Sequence, residues 1–75
     1  MQIDKEINAR GLNCPLPLMK AQKALDEMLS GQVLKVIATD SGSMRDFLAY
    51  AEEAGHEMLE QLHIGKEYIH VLRRA

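Results

Sequence analysis

The sequence predicts an α+β fold, a two-layer α/β sandwich of order βαβαββ in which two helices cover one face of a four-stranded mixed sheet. Three observations lead there. Gly11, Pro15, Pro17, Gly31, Gly42, Gly55 and Gly65 cut the chain into alternating segments. Two of these segments carry apolar residues at helical spacing, and two others are short runs with strand parity. The stretch after Gly55 has the pattern of a hairpin around Gly65.

Ile3 to Ala9 puts Ile3, Ile7 and Ala9 at one parity and reads as the first strand, weakened by Asp4 and Lys5. After Arg10-Gly11-Leu12-Asn13, a helix starting at Pro15 sets Leu18, Ala21, Leu25, Met28 and Leu29 on one stripe, with Gly31 as its C-terminal stop. Gln32 to Thr39 is rich in β-formers, with Leu34, Val36 and Ala38 on one face, and Asp40-Ser41-Gly42 ends it. Ser43 followed by Asp46 resembles a capping box. It opens a second helix with Met44, Phe47, Leu48, Ala51 and Ala54 on one face before Gly55. In the hairpin, a loop of Gly65 to Tyr68 pairs Ile64 with Ile69 and Leu62 with Val71. A two-residue loop would set Glu60 opposite Val71 on the buried side, so the longer loop is expected. The first two strands should run parallel with a right-handed crossover, which makes neighbours of two loops, Arg10 to Cys14 and Asp40 to Ser43.

Composition narrows the function. The 75 residues form one expected domain, 1–75, and at 47% hydrophobic and 27% charged they match globular usage rather than disorder. A chain this short buries about 60% of its unfolded surface, which argues for chemistry near the surface and against a deep ligand pocket. Nine basic and eleven acidic residues give a net charge of -2, against tight nucleic-acid binding. The longest apolar run, Phe47 to Ala51, is far short of the roughly 20 residues of a membrane span. The first ten residues hold no apolar stretch of the secretory type, so a cytoplasmic location is expected. The single cysteine, Cys14, excludes an internal disulfide and leaves a free thiol in a reducing compartment.

Pro15 suits the first helical position, which makes Cys14 the expected N-cap. Pro17 has no N–H to offer the sulfur, so Leu16 is its nearest donor. The helix dipole favours an anion there and should activate the thiol. A lone cysteine in a small domain is more often an inert core filler, but a cap position is exposed, and Ser, Thr, Asp or Asn would cap better if stability alone mattered.

The stretch Arg10-Gly11-Leu12-Asn13-Cys14-Pro15-Leu16-Pro17 resembles the signature of the TusA (SirA-like) sulfur-carrier family, with its CPxP motif. Gly31, Ala38-Thr39-Asp40, Arg45-Asp46 and Gly55-His56-Glu57 also fit the family pattern, so the resemblance spans nearly the whole chain. It implies a sulfurtransferase that acts as a persulfide carrier. Cys14 would take sulfane sulfur from a cysteine desulfurase or a rhodanese-like donor and pass it to the cysteine of an acceptor protein of the DsrE or TusD kind. The relay would serve sulfur oxidation, toward which the wording of the motif leans, or tRNA 2-thiouridine formation. No metal, nucleotide or flavin cofactor is implied, because the step is related to thiol–disulfide exchange.

Around that cysteine, Leu16, Met19, Lys20 and Lys23 lie opposite the core stripe and are the expected partner-docking face, against the blander reading of a solvated helix surface. Arg10 and Arg45 could add positive potential near the sulfur, and Asp40 would oppose them or simply tie down its turn. His56, His63 and His70 recur every seven residues, but His63 and His70 should face each other on the outer side of the sheet, too few ligands for a metal with Cys14. Two alternatives are a non-catalytic regulatory module, which would tolerate Cys14→Ser, and an RNA-contacting domain, suggested only by a likeness of fold to the C-terminal domain of a bacterial translation initiation factor.

Overall fold

The computed structural model describes residues 2–75 as β1 (Lys5–Ala9), α1 (Leu16–Glu27), β2 (Val33–Ala38), α2 (Ser43–Ala54), β3 (Glu57–Ile64) and β4 (Glu67–Arg73). The strands form one sheet of order β1-β2-β4-β3. β1 and β2 are parallel, with Ile7 beside Val36 and Ala9 beside Ala38, and β4 runs antiparallel to both β2 and β3. α1 packs on β1 and β2, α2 packs on β3 and β4, and the helices touch each other. This is the α+β two-layer sandwich that the alternation of segments predicts.

The core lies between the layers. Leu34, Val36 and Ala38 of β2 are buried against Ala21, Ala24 and Leu25 of α1, Phe47 and Ala51 of α2, and Leu72 of β4. Burying a side chain of leucine or phenylalanine size is worth about 1.5–3 kcal/mol before ordering entropy is counted, so these few residues set the stability of the chain. Gly55 ends α2 in the left-handed conformation at φ 81°, where a side chain would be strained.

The hairpin departs from expectation. Its loop is two residues, Gly65 and Lys66, so Ile64 pairs with Glu67, Leu62 with Ile69 and Glu60 with Val71. Gly65 adopts φ 61°, the left-handed geometry that a tight turn needs. A bulge between Met58 and Glu60 then shifts the register at the start of β3. Glu60 opposite Val71 does no harm, because that pair faces away from the helices and Glu60 is exposed there. Val33, Ile37 and Val71 lie on this second face, each almost fully buried without joining the core cluster.

α1 also ends early. Met28 is extended at its C-terminus, and Leu29, expected on the core stripe, is 72% exposed. Gly31 is not the helix stop. It sits in the following turn, and its N–H donates to the Arg74 carbonyl, bringing the chain back to the sheet.

Candidate functional site

Cys14 is free and exposed, just before the first turn of α1. Pro15, not Cys14, occupies the N-cap, and the Leu16 N–H donates to the Asn13 carbonyl at 2.9 Å. The sulfur therefore receives none of the helix N–H groups that the motif suggests. The thiol instead donates to Asp46 Oδ2 at 3.3 Å. Its pKa is raised, first by that hydrogen bond, then by partial desolvation, then by the negative charges of Asp46 and Asp40. In place of the expected helix N–H groups, two carboxylates supplied from across the sheet edge act on the sulfur, and they favour its thiol form.

Those carboxylates arrive through the neighbouring loops that the parallel crossover predicts. Asp40 follows β2, its carbonyl accepts the Ser43 N–H at 3.0 Å, and Gly42 at the head of α2 lies against both Asp40 and Asp46. The sequence likeness to a capping box does not become one. Gly42 is the N-cap, with no side-chain cap bond, and both box residues serve elsewhere, Asp46 at Cys14 and Ser43 at His70.

Cys14, Pro15, Pro17, Asp40, Ser43 and Asp46 rim a small recess closed by Phe47. Behind it lies a buried polar network that sequence reasoning missed. His70 is wholly buried, stacked on Phe47 at 4.3 Å, not exposed on the outer face opposite His63. The Gln61 amide nitrogen donates to the Met44 carbonyl at 2.8 Å and also meets His70 Nδ1 at 3.2 Å. Because the carbonyl can only accept, the amide nitrogen is fixed toward it, His70 Nδ1 accepts, and Nε2 carries the proton donated to Ser43 Oγ at 3.0 Å. Burial pushes the imidazole down to about 4, in keeping with a neutral ring. Ser43, the first residue of α2, is thereby pinned to β4. The one sequence signal was a histidine at the parity of Leu72, an apolar position of β4.

The two arginines do not tune the sulfur. Arg10 turns to Glu67, its Nε donating to Oε2 at 2.5 Å, and neither arginine is among the groups that shift Cys14. Arg45 is exposed on the first turn of α2. On the outer side of α1, Leu16 and Met19 are 48% and 55% exposed, and with Leu12, Lys20 and Lys23 they line a shallow apolar groove with a cationic edge. His56 serves the scaffold, its Nδ1 accepting the Ala75 N–H at 3.0 Å and its Nε2 lying 3.4 Å from the Tyr50 hydroxyl. Among the described residues no three His, Cys, Asp or Glu side chains form a metal-binding cluster, and no helix is long and apolar enough to cross a membrane.

Comparison with known proteins agrees with the motif. The family model described as Sulfurtransferase TusA matches residues 5–74. A sulfur carrier protein TusA of Allochromatium vinosum is 47% identical over 72 residues, covering 96% of this chain and 95% of that protein. A sulfur carrier protein TusA of Pseudomonas entomophila is 41% identical over 71 residues, covering 95% and 89%. The crystal structure of a SirA-like protein from Desulfitobacterium hafniense superposes with a TM-score of 0.82 at 28% identity, covering 92% of this chain and 95% of that one. With its CPxP cysteine exposed at the head of α1, on the fold of a SirA-like neighbour, the chain belongs to the sulfurtransferase TusA family.

Proposed function

We propose that residues 1–75 act as one sulfur-carrier domain, with Cys14 as the residue that holds sulfane sulfur as a persulfide. The observation that carries this reading is an exposed, unpaired thiol at the CPxP motif of a TusA-family chain. In loading, the Cys14 sulfur attacks the terminal sulfur of a donor persulfide. The new bond joins Cys14 Sγ to that sulfur, the donor's S–S bond breaks, and its electron pair leaves on the donor cysteine as a thiolate, which takes up the proton given up by Cys14. Delivery repeats the exchange with the acceptor's cysteine as nucleophile and Cys14 as leaving group. No outside oxidant or reductant is consumed. The protein works as a sulfurtransferase between two protein partners, a cysteine desulfurase or rhodanese-like donor and an acceptor of the DsrE or TusD kind.

The prolines at 15 and 17 fix the backbone beside the sulfur, and Leu16, Met19, Lys20 and Lys23 supply a docking surface on the outer side of the same helix. A reducing cytoplasm suits a carrier whose one thiol must stay free. The relay feeds sulfur oxidation or tRNA 2-thiouridine synthesis, distinguished by which acceptor takes the label. The test is incubation with a desulfurase and cysteine followed by intact-mass measurement. The chain is expected to gain one sulfur at Cys14, to lose it to a reductant, and to gain nothing as Cys14→Ser. A serine variant that still relays labelled sulfur would return the chain to the class of binding modules.

A further inference from the structure

We propose that Asp46 makes Cys14 a conditional nucleophile. In the free chain its carboxylate holds the sulfur's proton; a lysine or arginine brought by a docking protein into the cleft between α1 and α2 pairs with Asp46, the proton passes to water in the cleft, and the sulfur is left as an anion.

Three observations converge. Asp46 is the direct hydrogen-bond acceptor of the thiol, at 3.3 Å, and Asp40 stands beside it at the head of α2. Neither carboxylate takes part in an ion pair among the described residues, so both negative charges act on the sulfur unneutralised. The cleft that opens from Cys14 and Asp46 is lined by Leu18, Gln22, Ala49, Tyr50 and Glu53, and holds a further carboxylate but no cation of its own.

The surroundings define what must enter. From α2, Asp46, Tyr50 and Glu53 face the cleft, and from the loop after β2, Asp40 reaches the recess. From α1 only Leu18 and Gln22 line it, while Lys20 and Lys23 turn to the opposite groove. Arg10 is held by Glu67. Arg45, exposed on the first turn of α2, lines neither the recess nor the cleft, so a cation for Asp46 comes from outside the chain, and one carried by a partner arrives only when the partner docks. Idle Cys14 stays a thiol, which resists stray oxidation and alkylation because the thiolate is the reactive form. The identity of the docking protein as a sulfur donor or acceptor rests on the carrier reading above; the proton hold on Cys14 does not.

The test uses the full chain and small probes. Alkylation by iodoacetamide is followed against pH for the wild type, Asp46→Asn and Asp40→Asn, with circular dichroism to confirm folding. Asp46→Asn is expected to lower the titration midpoint and speed alkylation near neutral pH by about threefold or more. Asp40→Asn, which leaves the hydrogen-bond acceptor in place, is expected to act in the same sense by a smaller factor. Exchange rates are then compared for cystamine, hydroxyethyl disulfide and dithiodiglycolate, a dication, a neutral reagent and a dianion. In each case Cys14 forms a mixed disulfide and expels one reagent thiolate. Each rate is divided by that of free N-acetylcysteine with the same reagent, which cancels the different acidities of the leaving thiols. So normalised, at low salt the wild type should favour cystamine over the neutral reagent by about fivefold and disfavour the dianion, and the preference should shrink below about twofold in Asp46→Asn. An unchanged midpoint in Asp46→Asn, a larger effect from Asp40→Asn, or a cation preference that survives loss of Asp46 would each overturn the proposal. Persulfide loading is scored separately by mass, so a chain with the charge preference that takes up no sulfur would keep the proton hold and remove the carrier reading.

Discussion

The imidazole of His70 lies face to face with the ring of Phe47, the planes 3° from parallel, and its Nε2–H reaches Ser43 at the start of α2. This one side chain ties β4 to the element that carries Asp46, so the sulfur's partner is anchored in the core rather than on a loose loop.

Acid should weaken the fold through His70. Its ordinary value of 6.5 is lowered to about 4 by burial, so the unfolded chain binds a proton in this window and the folded chain does not. Stability is therefore present in full above pH 6.5 and is lost as pH falls toward about 4, by about 3 kcal/mol in total. His56, also lowered, first by burial, acts in the same sense. Urea unfolding measured across this range for wild type and His70→Leu should show the variant less stable at neutral pH, because Ser43 and Gln61 lose their partner, yet with a shallower slope. Equal slopes in the two proteins would mean that His70 is not the linked group.

Phe47 is the largest wholly buried side chain and closes the recess behind Cys14. Phe47→Ala should cost about 3–5 kcal/mol through the lost burial and the cavity left behind. For a domain of this size that corresponds to a fall in Tm of at least about 12 °C. Phe47→Leu should recover much of it by refilling the volume. Thermal melts decide the matter, and an alanine variant that melts within a few degrees of wild type would show the cavity to collapse freely.

Most of the scaffold was legible because its elements obey one period each. The β2 face of Leu34, Val36 and Ala38 and the α2 positions Phe47 and Ala51 are buried as their spacing requires. The hairpin was not, because Leu62, Ile69 and Val71 are apolar yet lie on the sheet face away from the helices, so an apolar face did not identify the core side. His70 escaped notice because its partners, Ser43 and Gln61, stand 27 and 9 residues away in sequence and join it only in the folded sheet. At the site, the exposure of Cys14 and the meeting of its two loops were as expected, whereas the N-cap place foreseen for Cys14 is taken by Pro15. The sign of the local charge did not, since it depends on Asp46 turning to the sulfur and Arg10 turning to Glu67.

That last pairing gives a prediction opposite to the one that the sequence invites. Arg10→Ala should leave the alkylation midpoint of Cys14 unchanged, because the guanidinium faces Glu67 and is not among the groups acting on the sulfur. Both partners are exposed, so thermal stability should also move little. A midpoint that rises in Arg10→Ala would show that Arg10 does reach the thiol in solution.

The outer groove of α1 makes the complementary case. Leu16 and Met19 expose apolar surface beside Lys20 and Lys23 without facing the recess that holds the thiol. Reversing both charges, as Lys20→Glu with Lys23→Glu, should therefore leave the alkylation profile of Cys14 and the melting curve close to wild type while slowing transfer from a donor protein. If the lysines steer an acidic partner surface, the loss should be a slower association that fades as salt is raised, by tenfold or so at low ionic strength. Stopped-flow association with a cysteine desulfurase, alongside the transfer rate of labelled sulfur, separates this from damage to the sulfur itself. Transfer at the wild-type rate with unchanged salt dependence would move the docking surface off α1.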